Sequence, residues 1–206
     1  GPPASPELGR RGKRIQVILL DTRFFRGPLV RRAVRPENTG PYDPNDDPSA
    51  TMLGDEQWTW LEAQLREPAE LRLLVSSIQV LSNEHHWERW GELPRERERL
   101  LELLATVDGL LILSGDRHRG EISCLKEGVP YPLYDVTSSA LNMSHPIDVP
   151  EPNSLRHGEL VMVDNFGLIT IDWNEPDPLV RIELRDLQDK IRVEKYVRLG
   201  ELKQRP

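Results

Sequence analysis

The sequence predicts an α/β protein of mixed α+β character, in which a mixed sheet with flanking helices is followed by an antiparallel β meander. Short apolar runs rich in Val, Ile and Leu recur up to residue 125, and amphipathic helical segments lie between them. The last fifty residues instead alternate apolar and polar residues at short spacing. The first pattern is typical of helices layered on a sheet, and the second is typical of strands with one face in water.

A chain of 206 residues is long enough for one domain with a sizeable core. We place a single domain at residues 14–199, between a Pro- and Gly-rich lead-in at 1–13 and a tail at 200–206. The formal net charge of −7 argues against a general nucleic-acid binder. The basic segment at 10–14 is short and is interpreted as solvated.

Cys124 is the only cysteine, so no intramolecular disulfide and no Cys-based zinc cluster can form within one chain. No apolar run approaches 18 residues, and the first residues lack the apolar core of a signal peptide. The sequence therefore predicts a soluble chain with no membrane partner and no export signal in the given residues. It leaves the cellular location open.

The first strand is predicted at residues 14–20, which are dense in β-branched residues and leucine. It ends in Asp21 and Arg23, which are either turn chemistry or part of a site. Residues 27–50 are proline-rich and loop-like. Their acidic cluster raises the alternative of a calcium loop, although it lacks the Gly and terminal Glu of an EF-hand; the cluster comprises Asp43, Asp46 and Asp47.

Two helices and three further strands follow in alternation. Apolar residues at helical spacing predict helices at residues 54–66 and from Pro94 to about Val107. Pro68 and Gly109 end them. Strands are predicted at 71–75, 110–113 and 121–125, and a polar turn at 138–142.

The meander is predicted from strands at residues 159–164, 168–173, 179–184 and 191–197, with a turn at 165–167.

Four histidines lie in polar segments before or beside the meander. His85 and His86 share a loop with two tryptophans, where they either bind a metal ion or are surface and packing residues. His145 and His157 have no partner pattern nearby and are interpreted as structural or exposed.

The strand at residues 110–113 ends in Ser-Gly-Asp-Arg-His, which carries Asp116 and His118. The carboxyl ends of strands are where active sites of open α/β sheets usually lie. A carboxylate and a neutral imidazole are good ligands for iron, zinc or manganese, and Gly115 allows a sharp turn. This segment is therefore predicted to be half of a metal site.

With that motif in place, the chain resembles the PhoD-like alkaline phosphatase and phosphodiesterase family, a branch of the calcineurin-like metallophosphoesterases. Six motifs in the family's order carry the resemblance and together span about residues 14–199. They lie at residues 19–26, 52–58, 76–80, 84–91 with 94–97, 113–118 and 166–173.

The resemblance implies one half of a four-layer αββα sandwich with Asp116 and His118 as ligands at a binuclear metal centre. His118 is then also a catalytic residue, and His85 or His86 is the local candidate to complete the ligand set. The metal is zinc, iron, manganese or calcium. The candidates for contact with the substrate are Asp21, Arg23 and Arg117, and an arginine can hold a phosphate bidentately.

The chain departs from the family because the upstream motifs that supply most of the metal ligands are missing. It therefore looks like the C-terminal half, completed either by a homodimer or by a separate N-terminal fragment. The resemblance implies a metal-dependent hydrolase of small phosphomonoesters or phosphodiesters that uses a metal-bound hydroxide. The alternative is a non-catalytic remnant that folds by association. Members of the family are often exported.

Overall fold

The computed structural model describes residues 3–10, 12–35, 39–148 and 151–204. The remaining residues of the predicted lead-in, of the predicted loop at 27–50 and of the tail, together with residues 149–150, lie outside the described residues. Within the described residues there are two α-helices, α1 (Gly54–Arg66) and α2 (Pro94–Leu104), and short 3-10 turns at Trp90–Glu92 and Leu199–Leu202. The strands are β1 (Glu7–Leu8), β2 (Ile15–Leu19), β3 (Val30–Arg31), β4 (Tyr42–Asp43), β5 (Leu71–Val75), β6 (Leu110–Ser114), β7 (Gly120–Leu125), β8 (Leu133–Ser138), β9 (Arg156–Val161), β10 (Asn165–Asp172), β11 (Leu179–Asp186) and β12 (Ile191–Arg198).

Seven strands form the central mixed sheet, in the order β1-β2-β5-β6-β8-β7-β9. The inner strands β2, β5, β6 and β8 are parallel, and the outer strands pair antiparallel. Strands β10, β11 and β12 form a separate antiparallel meander. The predicted class, a mixed sheet with two helices and a C-terminal meander, is confirmed.

The helices form where the sequence predicts them because their apolar residues share one face. In α1 the buried residues include Trp58, Leu61 and Leu65, while acidic residues in the first turn complement the helix dipole. Pro94 opens α2, which ends at Leu104 rather than near Val107. No helix of the described residues is long and apolar enough to cross a membrane.

The two faces of the central sheet differ in how well they are covered. Gln16 and Ile18 share one buried face, and the Gln16 amide donates to the Gln64 carbonyl at the end of α1, so α1 lies on that side. The opposite face carries Val17, and Leu19 with 40% of its surface exposed. The parallel register sets further partly buried apolar residues beside them, namely Leu73, Val75 and Leu113. We call these five residues the open face.

The structure corrects two predictions about the C-terminal region. Strand β9 pairs with β7 at the edge of the central sheet rather than with the meander, and Arg156 is bonded to Glu121 across that pair at 2.8 Å. Residues 165–167 begin β10 and are not a turn. Asn165 is tolerated in the strand because its side chain is hydrogen-bonded to the Val163 carbonyl and to Ser138.

Candidate functional site

The carboxyl ends of the parallel strands β2, β5 and β6 meet at one edge of the sheet. Asp21 and Arg23 follow β2, Ser76 follows β5, and the Asp116–His118 turn follows β6. Segments far apart in sequence are thereby brought to the edge where ligands bind in open α/β sheets.

The turn after β6 has an unusual backbone. Asp116 and His118 have φ angles of 68° and 54°, in the left-handed region that costs a non-glycine residue about 1–2 kcal/mol. Gly115, expected to allow the turn, does not have a positive φ. The intervening Arg117 N–H donates to Ser139 Oγ at 2.9 Å, which ties the turn to the end of β8. Such strained residues persist only where their surroundings enforce them, and they cluster at functional sites.

The His118 imidazole has a defined tautomer. Its Nδ1 lies 2.9 Å from the Met143 carbonyl oxygen, which can only accept, so Nδ1 carries the proton and Nε2 keeps a lone pair. Metal-ligating histidines commonly have this arrangement, with the second ring nitrogen bonded to a backbone carbonyl. The ring is half-buried and stacks on His145, with centroids 4.2 Å apart and planes 8° apart.

Asp116 lies beside Arg23, which was predicted at the substrate side. Arg23 Nη2 is 3.4 Å from Asp116 Oδ1, and both side chains are more than 40% exposed. Burial raises the pKa of Asp116, the Arg23 charge opposes that shift, and Glu88 adds to it. Glu88 accepts from both Arg23 and Arg26, so it holds Arg23 near the turn. Glu88 is not distinguished in the sequence except by its place in the motif at 84–91.

Asp21 has the turn role that the sequence left open. Its carboxylate accepts from the backbone N–H groups of Arg23 and Phe24, each at 2.9 Å, and these bonds lower its pKa. The Gln57 side chain bonds both the N–H and the carbonyl of Asp21. Asp21 therefore orients the segment that carries Arg23, and its carboxylate faces its own turn.

His85 is not an available metal ligand, contrary to the prediction. Its Nδ1 accepts from the Trp87 N–H at 3.2 Å, so its Nε2 donates to Gln79 Oε1 at 2.9 Å. Burial, aided by the Arg117 charge, lowers the pKa of His85 to about 2. The ring is neutral with both nitrogens engaged, which leaves no lone pair for a metal.

His86 and Arg117 each have a protein partner outside the Asp116–His118 turn. His86 Nδ1 is 3.1 Å from the Tyr42 carbonyl of β4 and 3.9 Å from Asp43. The Arg117 side chain is buried and ion-paired with Glu151, so its charge is already neutralised and it is not free to bind a substrate. The assignment of Arg117 to the substrate therefore needs correction, because local sequence does not show which way a side chain leaves a turn. These contacts engage only Nδ1 of His86, so its role as a metal ligand stays a prediction.

A buried polar cluster supports the end of β6 from behind. Asp135 accepts from Ser114 Oγ at 2.6 Å and from the N–H groups of Val80 and Leu81 at 2.8 and 2.9 Å. Gln79 donates to two further members. The cluster comprises Gln79, His85, Ser114, Glu121, Asp135 and Thr137. Because Ser114 is the last residue of β6, this cluster fixes where the Asp116–His118 turn begins.

The described residues contain no group of three or more His, Cys, Asp or Glu side chains that could hold a metal ion. This also removes support for the calcium alternative: Asp43 is ion-paired with Arg32, and Asp47 is bonded to Ser49. Asp116 and His118 fit a metal centre as two of its ligands, whereas a catalytic zinc usually has three from protein.

Comparisons with known proteins bear on the family and the fold. A family model described as PhoD-like phosphatase matches residues 9–147. The solved structure of PhoD matches with a TM-score of 0.73 at 17% identity, covering 97% of this chain and 43% of that one. A second structure, GAP50, the anchor in the inner membrane complex of Plasmodium, matches with a TM-score of 0.59 at 13% identity, covering 99% and 54%. The chain thus spans about half the length of these structures. No curated protein matches it.

Proposed function

Since the chain belongs to the PhoD-like phosphatase family, we propose that it takes part in metal-dependent hydrolysis of phosphoesters, with Asp116 and His118 as metal ligands. The observation that supports this role is the turn after β6, where a strained backbone presents a carboxylate and an imidazole with a free Nε2 lone pair. A bound ion would polarise the phosphoryl group and activate water as the nucleophile. A mixed O and N ligand pair suits zinc, iron or manganese better than calcium, which prefers oxygen.

Arg23 is the residue that we propose to bind the phosphate of a small phosphomonoester or phosphodiester. Its guanidinium is 48% exposed and lies beside Asp116, so it can reach a phosphoryl oxygen at the same centre. Its fork of N–H donors matches two phosphate oxygens. Glu88 and the Asp21 turn orient it from behind.

The described residues contain no third His, Cys, Asp or Glu grouped with Asp116 and His118, and the proposal therefore takes the remaining metal ligands from elsewhere. The open face and the adjoining groove of about 440 Å³ beside β10 leave apolar residues partly exposed at the same end of the sheet. Exposed apolar sheet surface favours association. We propose that a second copy of the chain covers this face and contributes the missing ligands.

A non-catalytic association module remains the second candidate. It is favoured by two observations: the described residues contain no group of three or more possible ligands, and the open face is partly exposed. This candidate predicts a stable assembly that holds no stoichiometric metal.

Hydrolysis of aryl phosphate mono- and diesters by the full chain, with zinc, iron or manganese added, tests the proposal. Asp116→Asn and His118→Ala should each lower kcat/KM by at least about 100-fold, because even residues that only support metal ligands change activity by 10–100-fold. His157→Ala, at an exposed histidine on the edge strand β9, is the matched control and should retain activity.

Molar mass by light scattering and metal content, measured on the same samples, separate the candidates. A dimer with stoichiometric metal and activity lost in both variants supports the hydrolase. An assembly without bound metal, or activity unchanged in His118→Ala, contradicts it and supports the association module.

A further inference from the structure

His145 has an unusual environment for an exposed histidine. Its described contacts are both with His118: the ring stack, and a hydrogen bond from the His145 N–H to the His118 carbonyl at 2.9 Å. The adjacent Met143 carbonyl accepts the His118 Nδ1 proton. One short segment, residues 141–147, therefore contacts His118 at its ring face, its Nδ1 and its backbone. We call this segment the His145 loop.

The His145 loop is held in place by the meander rather than by apolar burial. The Asn165 N–H donates to the Ala140 carbonyl at 2.8 Å, just before the loop, and the Ser144 N–H donates to Asp164 Oδ1 at 2.9 Å. Leu141 and Met143 are 64% and 54% exposed. Because little hydrophobic burial holds the loop, its conformation depends on these polar anchors and on the contacts with His118.

We propose that His145 is a positioning residue for His118. Its ring holds the His118 imidazole in the orientation in which Nδ1 donates to Met143 and Nε2 stays unprotonated. The inference rests on the proposed function only for the reason why the orientation of His118 matters, since the orientation itself exists before any metal is bound. Stacking of two flat rings supplies the orientation without any bond from the His145 nitrogens.

The two rings are nearly parallel, which argues against His145 and His118 binding one ion together in this arrangement. Ligand lone pairs lie in the ring planes, and those of parallel rings do not converge on one point. His145 is therefore assigned to the orientation of the ligand rather than to the ligand set.

The test is the tautomer of His118 in the metal-free full chain, read from long-range ¹H–¹⁵N correlations near pH about 8, where free imidazole is neutral. In His145→Ala the ratio of the Nδ1–H to the Nε2–H form should fall about three- to tenfold, as expected for the loss of an aromatic pair. His145→Phe keeps a flat ring without nitrogens and should restore the wild-type ratio. His157→Ala is the control for loss of an unrelated histidine.

Asp164→Ala provides a second route, because it releases the Ser144 anchor without touching His145 and should shift the ratio in the same direction. An unchanged ratio in both His145→Ala and Asp164→Ala would overturn the inference. So would a His145→Phe variant that behaves like His145→Ala, because His145 would then act through its nitrogens. The readout needs no hydrolysis, so an inactive chain with the expected ratios contradicts the proposed function and leaves the positioning role standing.

Discussion

His85 and His118 lie at the same end of the sheet, and the difference between their surroundings separates a structural histidine from a candidate ligand. His85 belongs to the buried polar cluster, where both ring nitrogens have protein partners. His118 belongs to the half-exposed turn after β6, where only Nδ1 is engaged. A ligand must keep a lone pair that no protein donor uses. Residue type alone does not show whether a histidine keeps such a lone pair, whereas its hydrogen-bond partners do.

The backbone differs between the two regions as well. The polar cluster lies on regular strands and on a segment whose N–H groups are bonded to Asp135. The turn after β6 has two left-handed non-glycine residues. The first region stabilises the fold through satisfied hydrogen bonds, and the second holds the side chains of Asp116 and His118 on a backbone that costs some of that stability. The following predictions test this division.

The largest effect is expected from removing Asp135. Asp135→Ala leaves two buried N–H groups without their acceptor and removes one of the two hydroxyl partners of Ser114, which should lower the free energy of unfolding by about 3–5 kcal/mol. Asp116→Ala, the same change in the exposed turn, should cost less than about 1 kcal/mol. Urea denaturation of both variants measures the contrast.

Asp135→Asn is the conservative variant, because an amide keeps one acceptor oxygen. Its free energy of unfolding should lie between those of wild type and Asp135→Ala. Equal losses for Asp135→Ala and Asp116→Ala would show that the two regions do not differ in the way described.

Local patterns in the sequence were sufficient to predict much of the fold. The bounds of α1 and of β5 coincide with the predicted segments at 54–66 and 71–75, because apolar spacing and flanking Gly and Pro residues act within a few residues. Strand β9 was assigned to the wrong sheet. Its partner β7 is some thirty-five residues earlier in the chain, and a polar and apolar alternation does not identify a partner at that distance.

Part of the site was predictable because its motif, like the helices and strands, is local in sequence. The motif placed Asp116 and His118 at the end of a buried strand, where the structure also has them. The roles of Met143 and His145 depend on a loop that returns after β8, and those of Glu88 and Glu151 depend on arginines that are distant in sequence. Such contacts are tertiary, so neither residue type nor spacing reveals them.

A smaller effect is expected in the acid dependence of stability. His85 has a pKa of about 2 in the folded chain, against about 6.5 for a free histidine, so between these values the unfolded chain binds more protons. Stability is therefore fully present above about pH 6.5 and falls as the pH is lowered toward 2. From pH 6.5 to about 5, His85 should contribute a loss of about 1.5 kcal/mol.

In His85→Gln this contribution should be absent, so the free energy of unfolding should fall less steeply over the same pH interval. The slope is compared rather than the absolute stability, because the substitution also alters the bonds to Gln79 and Trp87. His157→Gln, on the exposed edge strand, is the control. If wild type and His85→Gln show the same slope, His85 is not held neutral by burial.

The smallest effect, and the one with the opposite sign, is expected at the strained turn. Asp116→Gly should raise the free energy of unfolding by about 0.5 kcal/mol, because relief of a left-handed residue outweighs the entropy that glycine loses on folding. Asp189→Gly is the matched control, since Asp189 also has a positive φ, of 63°, and lies in the β11–β12 hairpin far from the site in sequence. Only Asp116→Gly should also weaken metal binding, measured by titration with zinc. If Asp116→Gly instead lowers the free energy of unfolding, the carboxylate stabilises the turn. The left-handed backbone would then be no sign of a functional site.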